Sequence, residues 1–272
     1  CSMSCPKCVK TNPKYEVNEK MKMYEIEKTI ESEFPKETAY EWDNPGLLLG
    51  SHGAEISTVL VTLDVTADAV RQAKDCGAQL ILSHHPILFG GTKKLTDDTP
   101  EGKMLLELAK NEICVYAAHT NCDVGKNGIN AYLAELFELT GTEYLEENGL
   151  GRTGNLKTPV TLGEFAENVK KKLHTPHVRI CGDTQKLITR AAIGSGACAD
   201  CIPAAIAKGA DVMLTADMKY HEMLDAAACG ICVIDAGHYP TEAVVTEIFA
   251  DILKDTGLKI VKSNQEDIFK YL

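Results

Sequence analysis

The sequence predicts an α/β protein of two related lobes with mixed sheets and a site in the crevice at the strand C-terminal ends. Three observations carry that reading: short apolar runs alternate with amphipathic segments along almost the whole chain, one strand–helix–strand unit occurs twice, and His and carboxylate residues gather where strands end. Residues 1–22 are polar and aperiodic and are taken as an N-terminal extension; Cys1, Cys5 and Cys8 lie in it, with no surrounding fold evident to build a metal cage. From Met23 an amphipathic helix runs to about Phe34, where Pro35 ends it and leads into the turn-rich loop EWDNPGLLLG. The runs 59–63 and 80–82 read as strands around a helix, with Thr66 as its N-cap and Gly77 as its stop, the grammar of a parallel crossover. Further on, 101–110, 127–139 and 161–173 read as helices and 113–118 as a strand. The chain closes with strand 231–237, a long helix from Pro240 to about Asp255 and strand 258–262.

The duplicated unit aligns 59–85 with 191–217 without gaps, pairing Ala67/Ala199, Asp68/Asp200, Ala73/Ala205, Gly77/Gly209, Ala78/Ala210 and Leu82/Leu214. Each copy is a βαβ crossover, so two related lobes are expected, with functional groups at the carboxyl ends of their strands.

Composition narrows the function classes. With 272 residues and 44% hydrophobic content the chain can bury one large core or two modest ones. A formal charge of −11 argues against bulk nucleic-acid binding. No apolar run approaches the roughly 18 residues of a membrane span, and the polar start lacks a signal-peptide core, so a cytoplasmic location is expected. In that compartment the 11 cysteines read as reduced thiols rather than a disulfide framework. Cys198/Cys201 and Cys229/Cys232 are C-x2-C pairs, but their strands place them at opposite sheet edges, which excludes a joint four-thiolate cage and leaves separate redox pairs.

Three strand ends carry metal-binding residue types. His84 and His85 follow strand 80–82 directly, and Pro86 keeps His85 extended, so adjacent imidazoles diverge and suit two ions better than one. HTNCD places His119 and Asp123 after the strand 113–118. GHYPTE places His238 and Glu242 four residues apart at a helix start, on one face. Each pattern alone fits a loop cap or a helix-start acid. Together they suggest five ligands, His84, His85, Asp123, His238 and Glu242, more than the three of a usual catalytic zinc and enough for two divalent ions with a bridging carboxylate. Imidazole and carboxylate donors leave zinc, manganese and iron open. Cys122 is a weaker ligand candidate than Asp123. Asp64, His119, Asp217, Lys219 and His221 are candidates for orienting the ligands, moving protons or contacting substrate, with His119 and Asp64 the catalytic candidates and the other three substrate-binding.

The motifs WDNPGLLLG, TLDVT, SHHPILF, HTNCD, TADMKYHE and DAGHYPTE occur in that order, and the chain thereby resembles the NIF-three-like dinuclear-metal family, also named GTP cyclohydrolase 1 type 2. The resemblance spans about Glu41 to Glu242 and implies the same five metal ligands. It departs from the family's usual pattern at Ala216 and Cys122, neither of them a presumed ligand. It further implies a ring-shaped homohexamer and a lobe formed by 23–126 with 231–272, which binds the metals, around an inserted lobe 127–230. Two activities follow as expectations: metal-dependent hydrolysis of a nucleotide or related phosphorylated substrate, or non-catalytic metal binding and delivery. No Walker-type loop is present; GSGACAD (194–200) is the one glycine-bearing segment placed to cradle a phosphate, and a structural turn is the stronger reading of it.

Overall fold

The computed structural model describes residues 19–271. Among the described residues, the first regular element precedes the expected helix: β1 (Met21–Lys22) pairs antiparallel with β3 (Glu55–Ile56), so Met21 and Lys22 belong to the fold rather than to the extension. The Cys1, Cys5 and Cys8 cluster lies outside the described residues. Helix α1 (Met23–Glu33) follows at once, and β2 (Gly46–Leu49) comes out of the turn-rich loop.

The first crossover forms as read. Strands β4 (Thr58–Thr62) and β5 (Leu80–Ser83) pair in parallel around α2 (Ala67–Cys76). Thr66 Oγ1 accepts from the Ala69 amide, and Gly77 closes the helix at φ 71°. Helix α3 (Pro100–Lys110), strand β6 (Cys114–Ala117) and two short helices, α4 (Thr120–Asp123) and α5 (Ile129–Leu136), come next. A hairpin that periodicity does not reveal, β7 (Thr140–Tyr144) with β8 (Arg152–Thr161), leads into α6 (Leu162–Lys172). Both hairpin strands carry alternating polar residues, so they give no apolar run.

The second crossover runs from β10 (Leu187–Ile193) through α7 (Ile202–Ala207) to β11 (Val212–Thr215), in parallel, after the short edge strand β9 (Arg179–Cys181). Then come α8 (Tyr220–Ala228), β12 (Cys232–Asp235), α9 (His238–Glu242), α10 (Val245–Leu253) and β13 (Lys259–Lys262). The single long helix expected from Pro240 is two. At Thr246 and Glu247 the amides bond to carbonyls three residues back, at 3.3 and 3.0 Å, and the tightened turn separates the helix bearing His238 from the helix that packs in the core.

Five strands form one mixed sheet in the order β13-β4-β5-β6-β2, and six form the other as β7-β8-β10-β11-β12-β9. Strand β12 therefore lies in the six-stranded sheet, not with the chain's first lobe, where a boundary at 230/231 would put it. Side-chain alternation builds three apolar layers. Val59, Val61, Leu80, Leu82, Val212, Leu214 and Ile234 face one central core, which they share with Ile26, Leu133, Phe165 and Phe249 of the helices. Leu60, Ile81 and Val115 face α2 and α3 on one outside, and Ala192, Met213 and Val233 face α7 and α8 on the other.

Candidate metal centre

The parallel ladder fixes the first two histidines. The amides of His84 and His85 continue the β4–β5 pairing by donating to Thr62 and Leu63 carbonyls, so the chain cannot swing away from the sheet end. His84 is fully buried, and its Nδ1 lies 2.8 Å from the Ala118 carbonyl oxygen, just beyond β6. A carbonyl only accepts, so Nδ1 carries the proton and Nε2 presents a lone pair. The same logic repeats three times. His85 Nδ1 is 2.7 Å from Asp64 Oδ1, His119 Nδ1 is 2.8 Å from Asp43 Oδ1, and His238 Nδ1 is 2.8 Å from Asp217 Oδ2. Four imidazoles thus turn Nε2 inward, each held by an acceptor behind it.

The ligating atoms converge. His85, His238 and Glu242 form one group, His84, Asp123 and Glu242 a second, and His84, His85 and His119 a third; within each, the ligating atoms lie within 4.8 Å of one another. Glu242 Oε2 is 2.8 Å from His238 Nε2 and 3.0 Å from His85 Nε2, and Asp123 Oδ1 is 3.6 Å from His84 Nε2. With the ring protons on Nδ1, these are contacts between acceptors, and His84 Nε2, Asp123 Oδ1 and Glu242 Oε2 are buried without a hydrogen-bond donor. Buried acceptors meeting acceptors repel unless a cation lies among them, so the residues present fit a metal ion.

In the protein alone, protons take the cation's place. His85 is pushed up to about 10, burial opposing the rise and the Asp64 and Glu242 carboxylates driving it, and His238 to about 9, chiefly by its hydrogen bond with Glu242. Burial would raise Glu242, but His238 and His85 outweigh it and hold it below the usual carboxylate range. Burial, reinforced by the Glu242 charge, pushes Asp123 well up, and burial drives His84 down to about 3.

The structure brings together all five sequence-predicted ligands, His84, His85, Asp123, His238 and Glu242. His119, read as a catalytic candidate, stands among them as a possible ligand. Asp64 and Asp217 sit behind His85 and His238 as acceptors; Asp217 takes φ 54°, a left-handed backbone uncommon for a non-glycine residue. Lys219 and His221 are not brought in: Lys219 is exposed and paired with Glu222, and His221 is exposed against Tyr220. The residue that sequence reading missed is Asp43. Its buried carboxylate also accepts from the Thr120 amide and hydroxyl, and its signal was the WDNPG turn, which marks a loop but not its target.

The glycine segment is a structural turn. Its amides are already used: Ser195 donates to Asn130 Oδ1, Gly196 to Thr241 Oγ1 and Cys198 to Thr215 Oγ1. Gly196, at φ +57°, abuts Glu242 so closely that a Cβ would meet its Oε1 at 2.0 Å. Cys122 is buried in the central core, where burial pushes its thiol well up, and takes no part in the ligand groups. Cys198 and Cys201 are joined in a disulfide, one of the two pairs left open as redox pairs and a departure from the reduced state expected of the cysteines in general, whereas Cys229 and Cys232 are free.

The family model Duf34/NIF3 (NGG1p interacting factor 3) matches residues 21–268. A GTP cyclohydrolase 1 type 2 homolog of Lactococcus lactis is 37% identical over 253 residues, covering 90% of this chain and 97% of the relative. One of Clostridium acetobutylicum is 32% identical over 265 residues, covering 92% and 99%. Among solved structures, the Bacillus cereus protein related to NIF3 superposes with a TM-score of 0.87 at 26% identity, over 93% of this chain and 99% of that one. Reduced HcgD from Methanocaldococcus jannaschii superposes with a TM-score of 0.80 at 33% identity, over 90% and 99%. By sequence over nearly its whole length, and by fold, the chain belongs to the Duf34/NIF3 family.

Proposed function

We propose that the protein is a dinuclear metal-binding protein that hydrolyses a nucleotide or related phosphorylated substrate. The observation that carries the reading is that two of the candidate ligand groups share Glu242, one with His85 and His238 and the other with His84 and Asp123. A carboxylate shared in this way would let His84, His85, Asp123, His238 and Glu242 hold two ions rather than one. Two divalent ions held there, zinc, manganese or iron, would supply Lewis acidity and lower the pKa of a bound water. The chain's own residues do the rest. Asp64 and Asp217 keep the rings of His85 and His238 in the ligating tautomer, and His119, held by Asp43, is either a further ligand or the group that moves a proton. The names of the relatives support attack on the ring of GTP, and the same water suits phosphoester cleavage.

One observation favours a second reading, metal binding and delivery without turnover. Lys219, a candidate for substrate contact, and the 194–200 segment, for which a phosphate cradle was the weaker reading, are both engaged elsewhere in the protein. We take the protein to act in the cytoplasm as a ring-shaped homohexamer; light scattering tests the assembly. Elemental analysis of gently purified protein tests the centre. About two ions per chain, falling in both Asp123→Ala and His238→Ala, support the dinuclear reading; no metal even after reconstitution overturns it. A panel of nucleotides and phosphoesters then separates the two activities: holo-protein that exchanges metal but turns over none of them is a carrier.

A further inference from the structure

Beside the metal centre lies an aromatic surface that the fold does not need for its core. Trp42 is 57% exposed and Phe89 is 54% exposed. Tyr40 stacks on Trp42 with ring centroids 5.5 Å apart and planes within 9°, and Phe89 lies 5.7 Å from Trp42 at 44°. Both Trp42 and Phe89 meet the ring of His119 edge-on at 6.1 Å, and His119 in turn lies 5.1 Å from His84. The two loops that bear these rings also bear the metal-site residues: Trp42 precedes Asp43, and Phe89 follows His85 by four positions.

Polar contacts tie the surface to the loops around it. Asn44 Nδ2 donates to the Leu88 carbonyl at 2.6 Å, tying the two loops together, and Asn148 Nδ2 donates to Tyr40 Oη at 2.7 Å. Asp43, clamped to His119 and Thr120, fixes the backbone on which Trp42 stands. Leaving a large indole in water forgoes the hydrophobic gain of burying it, and a pre-set stack of aromatic rings opening onto convergent polar groups is how proteins receive flat ligands.

We infer that Tyr40, Trp42 and Phe89 form a shelf that stacks the planar heteroaromatic ring of a ligand whose polar arm reaches the histidine and carboxylate cluster past His119. A ring lying on Trp42 at van der Waals distance is within one ring's breadth of His119, so a ring substituent or a sugar-phosphate arm spans the remaining gap. The inference deepens the proposed function by naming the class of substrate, and its readout is binding rather than turnover or metal content.

Trp42 is the only tryptophan of the chain, so its fluorescence reports on the shelf alone. The test titrates metal-reconstituted protein with GMP and nicotinamide mononucleotide, each compared with ribose 5-phosphate, which is the same ligand without its ring. We expect at least one nucleotide to quench Trp42 emission and, by calorimetry, to bind roughly ten-fold or more tighter than ribose 5-phosphate. Trp42→Leu should remove about that margin while leaving metal content and ribose 5-phosphate binding unchanged, and Trp42→Phe should keep much of it. Nucleotides that bind no better than ribose 5-phosphate to the wild type overturn the inference. So does Trp42 emission that follows protein concentration and ignores nucleotide, because a second copy of the chain would then cover the shelf. Ring-dependent quenching without turnover sustains the shelf and removes only the hydrolase reading.

Discussion

Each imidazole in the cluster depends on one acceptor behind it, and the acceptor decides which nitrogen faces inward. Asp43 is the most heavily used of these, since one buried carboxylate orients His119 and caps the start of α4. Asp43→Ala should weaken metal binding about 10–100-fold, the usual effect of losing the group that orients a ligand, as measured by competition with a chromophoric chelator. The same contacts make the metal-free protein sensitive to pH. His85 and His238 have folded pKa values of about 10 and about 9, above the unfolded 6.5, so their contribution is complete below pH 6.5 and is lost as pH rises through those values. His84 acts in the opposite sense: held neutral by burial with a pKa of about 3, it favours the unfolded chain below pH 6.5. The melting temperature of chelator-treated protein should therefore be highest near neutrality and fall on both sides. The alkaline decline should shrink in Glu242→Gln, which removes the charge that both raised histidines share.

At the scale of elements, the internal repeat extends further than its aligned sequence. Each sheet contains three consecutive parallel strands, β4-β5-β6 and β10-β11-β12, flanked by an antiparallel strand that comes earlier in the chain, β2 and β9. Gly77 and Gly209 end the equivalent helices at φ 71° and 70°. The third parallel strand in each lobe leads to a short helical turn with a histidine and an acid four residues apart, His119 with Asp123 and His238 with Glu242. One site is thus assembled from two copies of one device, and by the repeat alignment His85 corresponds to Asp217, now the acceptor behind His238. Within the second copy, the turn at Gly196 presses on the Glu242 carboxylate. Gly196→Ala must place a methyl group at the Glu242 carboxylate in a left-handed backbone, a strain of roughly 1–2 kcal/mol. It should lower metal retention in dialysis more sharply than it lowers the melting temperature, because the nearest atoms belong to a ligand side chain.

For the molecule as a whole, the central core decides cooperativity. Side chains from both sheets and from α1, α5, α6 and α10 fill one apolar layer, so neither sheet has a private core on its inner face. Leu214→Ala, in the six-stranded sheet, should cost about 2–5 kcal/mol. In urea, Trp42 fluorescence, which reports from the other lobe, and far-ultraviolet circular dichroism should shift together and stay coincident. Transitions that separate would mean two independently folding lobes. The cluster of histidines and carboxylates that could hold a metal forms where strands of both sheets end, since His84, His85 and Asp123 follow β5 and β6 whereas His238 and Glu242 follow β12.

The sequence by itself determined what is local. The helix between Thr66 and Gly77 was readable because capping and stop residues act within one turn, and the strand ends before His84, His119 and His238 because apolar runs stop abruptly there. It also singled out five residues that the fold brings together, His84, His85, Asp123, His238 and Glu242. Only the tertiary structure decided what depends on distant partners. It joined β12 to the six-stranded sheet, formed the polar β7–β8 hairpin, tied Asp43 to His119 across 76 positions, and turned Lys219 away. The reason is physical: a cap or a β-turn is specified by neighbouring dihedrals, whereas the partner of a buried carboxylate or of an edge strand is chosen by packing of segments far apart in the chain.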